Sequence, residues 1–183
     1  MNKIVKLSEI ISDVIILDSS KDREINGLEL DSRKVQSGNL FLACKGLKTD
    51  GAKFIADAIA KGAGAILYDK SLQISDNIPK DVPLIPVENL LQQAGPLAAK
   101  YYGHPSEKMK VFGVTGTNGK TSISYFLADV AEQLKIPSAF IGTLGYGPIS
   151  QLKHTQHTTP NAIELQRMMA ELYQQGVKWV GME

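Results

Sequence analysis

The sequence predicts an α/β fold in two parts, a mixed α/β domain over residues 1–105 followed by the first part of a parallel-sheet domain over residues 106–183. Three observations carry this. Short apolar runs rich in β-formers alternate with segments whose apolar residues recur at helical spacing. Gly103-His104-Pro105-Ser106-Glu107-Lys108 is polar and turn-rich, the composition of a boundary between domains. Residues 110–122 read as a strand, a loop with two glycines, and the start of a helix, the order in which a phosphate loop sits in a parallel sheet.

In the first part, Leu7-Ser8-Glu9-Ile10-Ile11 is a short amphipathic helix, followed by the apolar run Val14-Ile15-Ile16-Leu17. After a charged turn at 21–24, residues 25–33 alternate in the strand manner, which on composition alone makes Ser32 and Arg33 a solvated strand face. Gln36 to Asn39 is a turn, and Leu40 to Cys44 a buried strand. Lys45 to Gly51 is a polar loop. Phe54, Ile55, Ala58 and Ile59 then recur at helical spacing up to Gly62, a C-cap. Ala65 to Tyr68 and Pro83 to Val87 are strands, and residues 88–102 a helix with Pro96 as an irregularity.

In the second part a helix runs from about Thr121 to Leu134, with Ile123, Phe126, Leu127, Val130 and Leu134 on one face, and Pro137 ends it. Ser138 to Gly142 is a second strand, parallel to the first because a helix intervenes. A glycine-rich loop covers 142–147, and Thr159 before Pro160 has the form of an N-cap and first helical position. A helix with Ile163, Leu165, Met168, Met169 and Leu172 apolar leads to a third strand at 177–182, expected as an exposed sheet edge. Three parallel strands with two crossover helices make less than a covered sheet. The chain therefore reads as the front part of a longer protein, with Glu183 at a strand tip beside the phosphate loop.

Composition removes several classes. With a net charge of +1 and no dense run of Lys and Arg, nothing points to nucleic acid or an anionic membrane surface. No stretch approaches the roughly 18 apolar residues of a membrane span. The single cysteine, Cys44, permits no internal disulfide, so a reducing cytoplasm is the expected setting and a small buried apolar role the expected use. His104, His154 and His157 lack metal-ligand spacing and are expected at the surface.

The chemistry lies in Gly116-Thr117-Asn118-Gly119-Lys120-Thr121-Ser122. Glycines let backbone amides approach a polyphosphate, and a helix N-terminus adds further unpaired donors. Lys120 would reach the β- and γ-phosphates of ATP and Thr121 would ligate its Mg2+. The usual Gly-x-x-x-x-Gly-Lys-Thr spacing is not met, since Val114 stands where the first glycine would be. A tight turn before a helix is the bland alternative.

Thr115 to Thr121 resembles the ATP loop of the Mur ligases, which add amino acids to the peptide stem of bacterial cell-wall precursors. Asp31-Ser32-Arg33-Lys34-Val35, Gly38 to Phe41 and Asp50-Gly51 resemble that family's uridine-nucleotide-binding domain. Thr158-Thr159-Pro160 and Gly181-Met182-Glu183 resemble the branch that adds the third residue of the stem. The resemblance implies that Leu30, Ser32 and the Leu47-Lys48-Thr49 loop hold the uridine diphosphate part of a UDP-N-acetylmuramoyl-dipeptide. It implies that Gly116 to Ser122 hold ATP with Lys120 catalytic, that Thr158 and Thr159 contact the sugar-peptide, and that Thr121 and Glu183 are magnesium ligands. His157 stands where Asn is often found. The amino acid to be added would be a diamino acid, meso-diaminopimelate rather than lysine by overall likeness, and the expected state is a monomer. The family's modified lysine and its C-terminal amino-acid domain lie outside this sequence, so the chain by itself is expected to be inactive. A non-catalytic module that binds UDP-sugar or nucleotide is the alternative. A kinase or switch NTPase using the same loop has no need of the first 100 residues.

Overall fold

The computed structural model describes residues 3–46, 50–75, 78–79, 81–154 and 160–183. The chain divides into two units, residues 1–101 and 102–183.

In the first unit, β1 (Val5–Lys6) leads into α1 (Leu7–Ile11) and pairs antiparallel with β2 (Glu24–Ile25). β3 (Gly27–Glu29), β4 (Asn39–Ala43), β5 (Ala65–Asp69) and β6 (Leu84–Val87) form a parallel sheet in that order, with α2 (Ile55–Ala60) between β4 and β5 and α3 (Leu90–Tyr102) after β6. Every residue of β4 is buried, as expected of an inner parallel strand covered on both faces. Val35, Phe41, Ile55, Ala58 and Ile66 form one core cluster. Buried Asp69, at the end of β5, accepts the Leu90 amide at 3.1 Å and so ties the start of α3 to the sheet.

Residues 25–33 do not form the one alternating strand expected. The chain changes sheets at Asn26, whose side chain is held by Asn39 at 2.9 Å and Ser37 at 2.8 Å. The strand ends at Glu29, and the extended Asp31 then caps a turn, its carboxylate accepting the Arg33 amide at 3.0 Å and pairing with its guanidinium at 2.7 Å. Ser32–Lys34 is consequently a 3-10 turn, with Ser32 buried rather than on a solvated strand face. The helix expected from Phe54 starts at Ile55, after a 3-10 turn capped by Asp50. The run at 14–17 is not core, since Ile16 is 96% exposed.

In the second unit, β7 (Lys110–Gly113), α4 (Lys120–Gln133), β8 (Ser138–Gly142), β9 (Gly145–Gly147), α5 (Ala162–Gln174) and β10 (Trp179–Met182) give a sheet of order β7-β10-β8-β9. β10 is parallel to both neighbours and β9 closes an antiparallel hairpin with β8. Two expectations are corrected. The last strand is inserted between the first two, so residues 177–182 are not an edge. The glycine-rich loop is a hairpin, in which Gly145 and Gly147 adopt positive φ of 126° and 131°.

A third correction concerns the start of α5. Its N-cap is Asn161, which accepts the Ile163 and Glu164 amides at 3.0 and 2.9 Å while Glu164 accepts the Asn161 amide, a capping box. Thr159 and Pro160 therefore precede the cap rather than supply it. Met109, Ala139, Ile141, Met169, Leu172 and Val180 form the core between α5 and the sheet. α4 packs on β10 and β8 through Ser124, Ala128 and Ala131. Its larger apolar residues Ile123, Phe126 and Val130, with Leu134 at its C-cap, are 51–65% exposed.

Candidate phosphate-binding site

The site lies at the C-terminal edge of the second sheet, where open parallel sheets bind ligands. The chain leaves β7 after Gly113 and enters α4 at Lys120 through a loop whose two glycines have positive φ, 149° at Gly116 and 76° at Gly119. Gly119 is the N-cap of α4 and offers no side-chain acceptor. Among the described residues no backbone carbonyl accepts from the amides of Gly116 to Ser122. An uncapped helix start with free amides carries positive charge density aimed along the helix axis.

These groups surround a hollow of about 340 Å³ lined by Thr117, Asn118, Gly119, Lys120, Thr121, Thr143 and Glu183. The Lys120 ammonium folds back over the loop and donates to the Gly116 carbonyl at 2.8 Å. Across the hollow, the Glu183 amide donates to the Ile141 carbonyl at 3.1 Å, which anchors the residue beyond β10. Its carboxylate accepts the Thr121 hydroxyl at 2.7 Å on Oε2 and both the amide and the hydroxyl of Thr143 on Oε1. Partial burial pushes the Glu183 pKa up, but the hydrogen bonds from Thr143 and Thr121, with Lys120 nearby, outweigh it and hold the carboxyl below its ordinary range.

The arrangement can grip a polyphosphate through amides and one ammonium. Beside it, the Thr121 hydroxyl and the Glu183 carboxylate are hard oxygen donors 2.7 Å apart, the donor type that magnesium takes. The residues present thus fit the cation that the loop implies.

Of the residues singled out from sequence, Thr117 to Thr121 and Glu183 are brought together here, 62 to 66 positions apart in the chain, with the Gly116 carbonyl holding Lys120, whereas Ser122 is not among the lining residues. Leu30 and Ser32 belong to the other unit. Ser32 is occupied structurally: its carbonyl accepts Lys61 at 3.0 Å, and its hydroxyl is the foremost cause holding Asp57 below its ordinary pKa. Leu47, Lys48, Thr49, His157, Thr158 and Thr159 lie outside the described residues. Two residues escaped the sequence reading, Gly142 and Thr143. The available signal was their place, a Gly-Thr pair at the tip of the second predicted strand of a parallel sheet, beside the expected ligand edge.

Comparison with known proteins agrees with this geometry. Residues 24–102 match the Mur ligase family, catalytic domain, and residues 114–183 match the Mur ligase middle domain. The UDP-N-acetylmuramoyl-L-alanyl-D-glutamate--2,6-diaminopimelate ligase of Coxiella burnetii is 46% identical over 87% of this chain and 32% of its own length. The protein of that name from Blochmanniella floridana is 41% identical over 100% of this chain and 38% of its own. The chain therefore spans about a third of the length of these curated relatives. A solved structure of a ligase of the same name superposes with a TM-score of 0.74 at 26% identity, covering 99% of this chain and 36% of that one. With both of its units matched by models of one family and a fold shared across nearly its whole length, the chain belongs to the Mur ligase family.

Proposed function

We propose that this chain carries the UDP-substrate domain (residues 1–105) and the start of the ATP domain (residues 106–183) of a cytoplasmic, monomeric ligase of peptidoglycan precursor synthesis. The ligase joins meso-diaminopimelate to UDP-N-acetylmuramoyl-L-alanyl-D-glutamate at the expense of ATP. The observation that carries the reading is the hollow in which free amides, the Lys120 ammonium and the Thr121–Glu183 oxygen pair converge. The names of the relatives supply the substrate class.

An amide-forming ligase has to convert an unreactive carboxylate into an acyl donor. Transfer of the ATP γ-phosphoryl group to it gives an acyl phosphate, which the incoming amine attacks with loss of phosphate. The protein's share is positioning and charge neutralisation. The amides of Gly116 to Ser122 cradle the triphosphate, and Lys120 exchanges its bond to the Gly116 carbonyl for the phosphoryl oxygens, where charge grows in the transition state. A magnesium ion held by Thr121 and Glu183 would add neutralisation of the same oxygens. Leu30, Ser32 and Leu47 to Thr49 take the uridine diphosphate, and His157, Thr158 and Thr159 the sugar-peptide.

Calorimetry of this chain with Mg-ATP and with the UDP-muramoyl dipeptide tests binding. Phosphate release dependent on both dipeptide and diamino acid tests turnover in the full-length ligase. This chain alone is expected to bind and not to turn over. In the full-length ligase Lys120→Ala should lower kcat by about a hundredfold or more while leaving dipeptide affinity nearly intact. Dipeptide-independent phosphate release would instead mark a plain NTPase, and binding with no turnover by the full-length protein a non-catalytic module.

A further inference from the structure

The Glu183 carboxylate is held by three hydrogen bonds from two threonines. A carboxylate has two oxygens able to accept about four hydrogen bonds. Here Oε1 takes two donors from one residue, the backbone amide and the hydroxyl of Thr143, while among the described residues Oε2 takes the Thr121 hydroxyl alone, both residues lining the hollow. The space that allows this comes from the preceding residue. A Cβ on Gly142 would stand 2.3 Å from Glu183 Oε1, 2.5 Å from its Cγ and 2.6 Å from Phe140 Cζ, so a side chain there would displace the carboxylate, the Phe140 ring or both. The end of β8 and the residue after it thus form a two-residue cradle, a gap followed by a pair of donors, around one oxygen of the acid that follows the neighbouring strand.

We propose that Thr143 is a positioning residue that commits Glu183 Oε1 to the protein and leaves Oε2 alone for the cation of a bound magnesium nucleotide. The inference rests on the reading that this hollow takes such a nucleotide. With no cation present the Thr121 hydroxyl donates to Oε2. A cation shared by Thr121 and Glu183 needs that hydroxyl to turn its proton away, which removes one of the three bonds fixing the carboxylate. The two from Thr143 do not compete with the cation and keep Oε2 in place. Thr143 itself need not touch the metal, its hydroxyl being 3.5 Å from that of Thr121.

The test is nucleotide binding by this 183-residue chain, measured by calorimetry in EDTA and across a magnesium titration at fixed ATP. Thr143→Val keeps the shape and the backbone donor but loses the hydroxyl. It should raise the magnesium concentration at half-effect about tenfold, the usual cost of losing an outer partner of a metal ligand, and weaken binding in EDTA far less. Thr143→Ser should restore the wild-type midpoint. Thr143→Ala, which also keeps the backbone donor and loses the hydroxyl, should reproduce the Val defect, and it carries the test if the Val variant does not fold. An unchanged magnesium midpoint in the variants, or an equal loss in EDTA, would overturn the assignment while leaving the nucleotide site standing. A wild-type chain whose ATP binding gains nothing from magnesium would overturn the reading of the hollow and this inference with it.

Discussion

α3 in the first unit turns Leu90, Ala94, Leu97, Ala98 and Tyr101 inward, whereas α4 in the second buries Ser124, Ala128 and Ala131 and leaves Ile123, Phe126 and Val130, with Leu134 at its C-cap, largely exposed. Both helices follow a strand of a parallel sheet, yet they are rotated by opposite rules. For α3 the apolar stripe sets the rotation, the ordinary case. In α4 the first turn, where Lys120 and Thr121 line the hollow, fixes the rotation instead. Positions 121, 124, 128 and 131 share one face of a helix, so fixing Thr121 carries Ser124, Ala128 and Ala131 onto the sheet. The sheet accommodates this choice through Gly181, where an added Cβ would lie 2.1 Å from the Ser124 carbonyl oxygen. The loop that lines the hollow thus shares one helix face with the contact to the sheet, and that contact is made of small residues.

The largest effect should come from closing that contact. Gly181→Ala sets a methyl against helix backbone, which cannot move aside as a side-chain tip could, and should cost about 4 kcal/mol, beyond ordinary overpacking. Trp179, the single tryptophan, sits on β10 with its ring 5.0 Å from Phe112, so its fluorescence during urea unfolding reports the second unit. A wild-type midpoint for this variant would mean that α4 is free to shift and that its rotation is not locked by the sheet.

Next come two truncations that the comparison separates. Leu97→Ala on α3 removes a side chain only 2% exposed and should cost about 3 kcal/mol, read by far-UV circular dichroism, since the first unit has no tryptophan. Phe126→Ala on α4 removes the larger side chain but should cost under about 0.5 kcal/mol in this chain, because the ring is 61% exposed. Equal losses would show that the outer face of α4 is packed in solution.

The same contrast explains which features could be read from sequence. The buried strand from Leu40, which ends at Ala43 one residue before the expected Cys44, the strand at 65–68, the glycine loop between β7 and α4 and the position of Glu183 beside it were legible because each is local, or follows from strand tips sharing one edge of a parallel sheet. The apolar face of α4 was found at the right residues, but its direction was not, since periodicity identifies a stripe and says nothing of where it points. The order β7-β10-β8 was equally out of reach, because it depends on which strand slides between two others. Asp31 and Asn161 redirected the chain through side-chain bonds to nearby amides. Such capping competes with strand alternation and with the Thr-Pro signal, and only the geometry shows which prevails.

The smallest effect sharpens the comparison at its charged groups. Each unit holds a carboxylate below its ordinary pKa beside a candidate ligand segment, but by different means. Asp31, in the first unit, is lowered to about 2, foremost by its hydrogen bonds to the Arg33 guanidinium, with burial opposing. Glu183 is held by neutral hydroxyls and an amide, with the Lys120 charge the weakest contribution, so its negative charge stays available to a cation. Asp31 is depressed on folding, so its contribution is present above the ordinary carboxylate range and fades as the pH falls from about 4 towards about 2. Because the Arg33 side chain is 84% exposed, solvent screening keeps that contribution small. Asp31→Asn keeps an oxygen to cap the turn and removes only the charge. The urea midpoint of wild type should therefore exceed that of Asp31→Asn at pH 6, and the gap should close by about pH 2 and shrink in high salt. A gap that survives acid would make Asp31 a neutral cap, and the two units would then hold their acids in the same way.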